Sequence, residues 1–217
     1  MNNVLIVFLK YPEPGKVKTR LAKALGNEKA CRIYQLLAES VIRNIFLKNE
    51  RKYDVHIFFT PIDKKNEIVT WLKPLIGNDT ETGIHYIPQE GAELGERMSD
   101  AFQQALQKKS YERSIIIGTD CPGIDAALIE DAFEVLKKKD IVIGPCMDGG
   151  YYLLGMSGLF PDLFSGIDWS TDCVFDQTMR KIQRNHLSYM ILKTLADIDT
   201  QEDIGHHAPY IFNSIVL

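Results

Sequence analysis

Four stretches of this chain combine residue types that could handle phosphate, a divalent cation or a reacting hydroxyl. The first, Lys10-Tyr11-Pro12-Glu13-Pro14-Gly15-Lys16-Val17-Lys18-Thr19-Arg20, gathers three lysines and an arginine between an apolar run and a helix-like segment. A loop at a helix start offers unpaired backbone N–H groups, and added cations suit a di- or triphosphate that must shed charge in a transition state. Lys10, Pro12, Gly15, Lys18, Thr19 and Arg20 are therefore expected to contact a nucleotide, with Lys18 and Arg20 assisting the chemistry. The stretch is not a Walker A loop: Val17, not Ser or Thr, follows Gly15-Lys16, and no glycine stands five residues earlier. Its alternative reading is a solvated basic turn stiffened by Pro12, Pro14 and Gly15.

The second stretch, Gly118-Thr119-Asp120-Cys121-Pro122-Gly123, follows the isoleucine run Ile115 to Ile117. A stiff strand on one side and Pro122 on the other would hold Asp120 as a ligand for a hard cation carrying nucleotide phosphates, with Thr119 beside it. In the third, Gly144-Pro145-Cys146-Met147-Asp148-Gly149-Gly150-Tyr151-Tyr152, the paired glycines let backbone approach a ligand. Asp148 is expected to be a metal ligand, a general base or a hydroxyl acceptor, and Gly149, Gly150 and Tyr151 to line the acceptor side. Asp-Gly is also a hairpin signal. The fourth, Asp197-Ile198-Asp199-Thr200-Gln201-Glu202-Asp203, reads by spacing as a capping box beginning at Thr200. Two weaker segments, Gly91 to Met98 with Arg97 and Asp168 to Asp172 with Trp169, could touch base or acceptor. Arg97 reads equally as a surface residue and Trp169 as packing.

These residues need a scaffold that brings distant loops together. Short apolar runs at Val4 to Leu9, Val55 to Thr60, Ile84 to Pro88, Ile115 to Gly118 and Ile141 to Pro145 alternate with longer amphipathic segments. That is the pattern of βαβ units and a mainly parallel sheet flanked by helices. The clearest helix is expected from about Asn27 to Lys48, with Ile33, Leu36, Leu37, Val41, Asn44 and Ile45 on one face. Asp125 is expected to cap the helix carrying Leu128, Ile129, Ala132, Phe133 and Leu136. Tyr151 to Gly155 follows the preceding strand too closely for a crossover helix, so it should either run antiparallel or pair elsewhere in the sheet, and a mixed sheet is expected. A helix from about Thr171 to Arg184 with Ser170 as N-cap and a strand near Tyr189 to Leu192 complete the chain. In such open sheets ligands bind beyond the carboxyl ends of the strands, where the chemistry-bearing loops fall.

The 217 residues are 45% hydrophobic and 25% charged, a composition that supports one globular domain spanning 1–217. A net charge of −4, with no Lys/Arg stripe, argues against nucleic acid as a partner. The apolar run at Val4 to Leu9 is too short for a leader or a membrane span, so a cytoplasmic location is expected. Cys31, Cys121, Cys146 and Cys173 form no C-x-x-C pair and are expected to be reduced structural thiols.

Taken together, Phe8-Leu9-Lys10-Tyr11-Pro12 with Pro14-Gly15 and Lys18-Thr19-Arg20-Leu21, Leu94-Gly95-Glu96-Arg97-Met98, Gly118-Thr119-Asp120-Cys121-Pro122 and Asp148-Gly149-Gly150-Tyr151-Tyr152 resemble the radical-SAM/selenodomain-associated transferase family of the nucleotide-diphospho-sugar transferase superfamily. The resemblance implies a GT-A-like Rossmann-type fold, with Asp120 holding Mg or Mn against a diphosphate. Thr119-Asp120-Cys121 departs from the Asp-x-Asp of many glycosyltransferases, leaving Asp148 or Asp199 to supply a second carboxylate. The leading expectation is a glycosyltransferase moving a sugar from a nucleotide-diphospho-sugar to a small-molecule acceptor. Asp197 to Ile204 also looks like the C-terminal segment of molybdenum-cofactor-type nucleotidyltransferases. The alternative is accordingly a nucleotidyltransferase, of the molybdenum-cofactor or phospholactate guanylyltransferase kind, that takes a nucleoside triphosphate and releases pyrophosphate. A non-catalytic nucleotide-sugar binding domain is the third reading.

Overall fold

A computed structural model of the chain describes residues 2–46, 51–76, 84–108, 111–208 and 211. Seven strands form one sheet in the order β3-β2-β1-β4-β6-β5-β7, where β1 is Asn3–Lys10, β2 Asp54–Thr60, β3 Ile84–Pro88, β4 Arg113–Ile117, β5 Ile141–Pro145, β6 Tyr151–Met156 and β7 Tyr189–Ile191. Strand β1 pairs in parallel with β2 and β4, β2 with β3, and β5 with β7, whereas β6 runs antiparallel between β4 and β5. The mixed mostly parallel sheet is thus present, and its one reversal is the strand whose short lead-in excluded a crossover.

Both faces of the sheet are covered. Along β1, Leu5, Val7 and Leu9 enter one core while Val4 and Ile6 enter the other. The same alternation holds in β4, with Ile115 and Ile117 on the first face and Ile116 on the second. This is why both strands read as continuous apolar runs: a strand buried on two faces has no solvent side to show. The first core is closed by α2 (Asn27–Phe46), α3 (Lys65–Ile76) and α5 (Ala126–Leu136), the second by α4 (Leu94–Gln103) and α6 (Val174–Arg184). Helix α2 buries Ile33, Leu37, Val41 and Ile45 as expected and adds Tyr34 and Ile42, a wider stripe; its expected end at Lys48 lies outside the described residues. Asp125 caps α5, its carboxylate accepting from Leu128 N at 2.8 Å.

Helix α6 departs from expectation at its start. It begins at Val174, three residues late, with Cys173 at the N-cap position and no side-chain cap. Ser170 cannot serve, because it sits in a left-handed conformation (φ 65°) within the turn that precedes the helix. Strand β4 ends at Ile117, so Gly118 already belongs to the loop.

Gly155 lies in β6 opposite Ile115 of β4 and Val142 of β5. A Cβ there would stand 2.5 Å from Val142 Cγ1, 2.9 Å from Ile115 Cγ1 and 3.0 Å from Leu136 Cδ1. Gly155→Ala should therefore overpack the core and cost about 1–3 kcal/mol. A urea transition with a lowered midpoint and unchanged slope is the expected result; an unmoved midpoint would show that the sheet yields there without strain.

Candidate active site

The sheet turns outward from β1 in two directions, towards β2 on one side and β4 on the other. The loops after β1 and β4 therefore diverge and open a crevice at the carboxyl ends. A cavity of about 860 Å³ occupies it, within the range of small-molecule sites. Loop 11–18 after β1, loop 118–125 after β4, the β5–β6 turn and the segment after β7 all reach it.

Loop 11–18 begins with a tight turn, Lys16 N donating to Glu13 O at 3.0 Å, with Pro14 and Gly15 central and Gly15 at φ 77°. Proline followed by a left-handed glycine is what a type II turn needs. The chain then buries Val17 and places Lys18 in a left-handed conformation (φ 46°, ψ 50°) immediately before α1 (Thr19–Leu25). That backbone sends the Lys18 side chain inward, where it is 4% exposed. Its ammonium donates to Asp120 Oδ2 at 2.7 Å and to Asp199 Oδ1 at 2.8 Å. Burial works against the charge, yet the two carboxylates outweigh it and hold the Lys18 pKa above its ordinary value. Arg20 Nη1 reaches the other oxygen of Asp199 at 3.2 Å while remaining 63% exposed.

The two carboxylates are fixed by backbone. Asp120 leaves β4, and its carbonyl accepts from Ile198 N at 3.2 Å, tying the loop to the C-terminal segment. That segment is held to the β5–β6 turn by Leu195 N to Pro145 O and Met147 N to Leu195 O, both 3.1 Å. The expected capping box is formed: Thr200 accepts from Asp203 N, and Asp203 Oδ2 accepts from Thr200 N at 2.6 Å and Asp199 N at 3.0 Å, ahead of α7 (Gln201–His207). The box and the ion pair are two halves of one arrangement, since capping α7 orients Asp199.

Asp148 lies on the β5–β6 turn, exposed, its Oδ1 accepting from Gly150 N at 2.8 Å. The hairpin signal and the carboxylate thus coexist. The expected metal ligands do not gather as one trio. Among the described residues, the donors lying within 4.8 Å of one another are those of Cys146, Asp148 and Asp197, while Asp120 and Asp199 share Lys18 instead. Asp197 was singled out only as part of the capping stretch. Its signal was alternation: in an extended run, Asp197 and Asp199 face the cavity while Ile198 is fully buried behind them. Burial, then Asp148 and Asp199, push the Asp197 carboxyl up to about 6.

Of the remaining expected residues, Lys10, Thr19, Arg97, Thr119, Gly150, Tyr151 and Trp169 line the cavity, whereas Pro12, Gly15 and Gly149 do not. Arg97 is pinned to its own loop by Gly91 O at 2.9 Å and Ala92 O at 3.3 Å. Trp169 packs over Gly95, where any Cβ would collide with the indole. Gly149 (φ 86°) lies against the Asp172 backbone. Tyr34, from α2, both accepts from Lys10 N at 2.9 Å and donates to Lys10 O at 3.0 Å. The thiols of Cys121 and Cys146 lie 3.5 Å apart in the cavity wall, a pairing their sequence separation conceals.

Known proteins share this architecture. A crystal structure provisionally described as a nucleotide-diphospho-sugar transferase from Desulfovibrio desulfuricans G20 superposes with a TM-score of 0.83 at 30% identity, covering 98% of this chain and 94% of that one. A 2-phospho-L-lactate guanylyltransferase of Methanocaldococcus vulcanius is 24% identical over 206 residues, 93% of this chain and 83% of that protein. The 4-diphosphocytidyl-2C-methyl-D-erythritol synthase of Anaerococcus prevotii DSM 20548 shares the fold, with a TM-score of 0.60 at 15% identity over 97% of this chain and 96% of that one. Fold, cavity and relatives define the class as a nucleotide-binding transferase. Over residues 45–171 the chain matches the family described as "Uncharacterized protein conserved in bacteria (DUF2064)", and it belongs to that family. The matched span includes Asp120 and Asp148 and stops short of Lys18, Asp197 and Asp199 on either side. Among the described residues no helix is long and apolar enough to cross a membrane.

Asp197 makes the site pH-sensitive. Its carboxyl keeps a proton up to about pH 6 when folded and loses it near 3.8 when unfolded. Between those values the folded state binds more protons, so this group's contribution to stability falls as pH rises through the window. In EDTA, Asp197→Asn should flatten that slope and stabilise the protein at pH 7.5 by about 1–2 kcal/mol, after allowing for solvent screening. Denaturant melts at pH 4.5, 6 and 7.5 test this; a variant no more stable than wild type at pH 7.5 would mean that Asp197 bears no excess charge.

Proposed function

We propose that the protein is a metal-dependent nucleotidyltransferase acting on a nucleoside triphosphate and a small anionic acceptor. The observation that carries the reading is the meeting of a buried cation with carboxylates from two separate loops at the switch point of the sheet. Sequence similarity to guanylyltransferases over most of the chain supports nucleotidyl transfer and makes GTP the first donor to try.

The oxygens of Asp120 and Asp199, with Asp197 and Asp148 close by, are the hard donors that Mg²⁺ or Mn²⁺ takes. The Asp197 carboxyl, raised first by burial and then by Asp148 and Asp199 with Lys18 only partly offsetting them, adds to the negative charge there. When bound, such an ion would supply charge neutralisation at the α-phosphate and at the departing pyrophosphate. Lys18 and Arg20 stand where the triphosphate would run, and Gly150, Tyr151 and Trp169 where the acceptor would sit. An acceptor oxygen attacks the α-phosphorus, the new P–O bond forms as the bond to the β-phosphate oxygen breaks, and pyrophosphate leaves. An acceptor phosphate or carboxylate is already ionised and needs no base. That suits a wall without histidine among the described residues, where Asp120 and Asp199 are committed to Lys18.

Glycosyl transfer from a nucleotide-diphospho-sugar is the second reading, favoured by the Desulfovibrio relative's description. Asp148, which is not ion-paired among the described residues, would then be the base for an acceptor hydroxyl. The finer likeness to radical-SAM/selenodomain-associated transferases and a small-molecule acceptor belong to the same proposal.

Incubation with GTP, CTP, ATP or UTP, Mn²⁺, labelled pyrophosphate and a small anionic acceptor, 2-phospho-L-lactate first, tests the main reading, because direct attack exchanges the label only through the acceptor. Exchange of label into one triphosphate is expected, and hydrolysis or transfer of nucleotide sugars without exchange would establish the second reading instead. Asp120→Asn preserves size and removes charge, so turnover should fall roughly a hundredfold or more while the fold survives. Wild-type turnover in that variant would take Asp120 out of the site.

A further inference from the structure

Lys18 has an unusual position for a phosphate-binding lysine. Its ammonium is buried and already has two carboxylate partners, so it is not available to a ligand as the structure stands. The carboxylates owe their placement to other contacts: Asp120 to the strand end and the Ile198 N–H on its carbonyl, Asp199 to the capping box through Asp203. They would face one another across the same gap without the lysine. Asp199 keeps Arg20 on its second oxygen, and Asp197 and Asp148 add negative charge nearby.

We propose that Lys18 is an internal counter-cation that occupies the divalent metal's place and gives it up only when a triphosphate arrives. The inference rests on the metal-dependent reading above. An ammonium and a divalent cation compete for the gap, because Lys18 already holds one oxygen of each carboxylate, Asp120 Oδ2 and Asp199 Oδ1, and the two cations repel each other at contact distance. A metal ion arriving alone would drive Lys18 into the cavity with no anion to meet it. A triphosphate in the cavity that Lys18 lines supplies that anion. Metal and nucleotide therefore bind with positive coupling, and the lysine is the coupling element. Lys18 itself has a left-handed backbone, a conformation L-residues rarely adopt, and its side chain lines the cavity in which the triphosphate would lie.

The test measures Mn²⁺ affinity by electron paramagnetic resonance or calorimetry, with and without GTP, correcting for Mn²⁺ chelated by free nucleotide. In wild type, GTP should tighten Mn²⁺ binding by about tenfold or more. Lys18→Met should bind Mn²⁺ alone about tenfold more tightly than wild type, with most of the GTP effect lost. Mn²⁺ affinity equal to or below wild type in a Lys18→Met protein that melts cooperatively overturns the proposal. Should that variant fail to fold, wild type decides: Mn²⁺ affinity unaffected by GTP overturns it equally. Asp120→Asn and Asp199→Asn separate the two inferences. If both bind Mn²⁺ like wild type, the metal reading of the site itself has failed, whatever Lys18 does.

Discussion

One buried ammonium between two carboxylates marks the point where three loops of this fold meet. Lys18 comes from the loop after the first strand, Asp120 from the loop after the fourth, and Asp199 from the segment beyond the last. Removing one carboxylate leaves the buried ammonium with the other as partner, a cost reduced by the 45% and 28% exposure of Asp120 and Asp199. Packing brings these loops near a common point: Cys121 and Ile124 enter the first core, and Ile198 beside Asp199 shares an apolar cluster with Leu21 of α1 and with Ile33 and Leu37 of α2. The charge cluster then joins the polar side chains that the packed residues carry with them.

The sheet decides where that point can be. With β1 central and its neighbours entered from opposite directions, the loops after β1 and β4 part at the carboxyl edge. The antiparallel β6 inserts between β4 and β5 and brings the β5–β6 turn, with Asp148, to the same edge. Strand β7 then adds alongside β5 and delivers Asp197 and Asp199 from the far side. Acidic groups from three loops thus face basic groups from a fourth across one cavity. Such an arrangement suits a polyanion that comes with a cation, since either partner alone meets like charge.

The glycines and aromatic groups around the cavity serve its shape. Gly95 gives Trp169 its place, Gly144 gives Tyr152 its place, and Tyr152 in turn donates to Lys193 O at 3.1 Å, fixing the segment that leads to Asp197. Shape and charge are therefore linked through the β5–β6 turn.

Much of this architecture was legible in the residues themselves. Two-sided strand burial produces unbroken apolar runs, helical faces repeat at their own period, and caps such as Asp125 and Thr200 announce themselves by local spacing. The short lead-in to Tyr151 pointed to a mixed sheet, again a local argument. Ser170 failed as a cap because a turn upstream, invisible in residue type, set its backbone left-handed. The loops bearing Lys18, Asp120, Asp148 and Asp199 could be named for the same local reasons. Which side chains meet across them could not. Lys18 is 102 residues from Asp120 and 181 from Asp199, and Cys121 finds Cys146 across two strands, so the pairings depend on strand order. The burial that turns Lys18 from a basic loop residue into a counter-cation, and that lifts the Asp197 carboxyl to about 6, exists only once the loops close over one another. Periodicity and capping are properties of neighbours along the chain, whereas charge pairing is a property of neighbours in space.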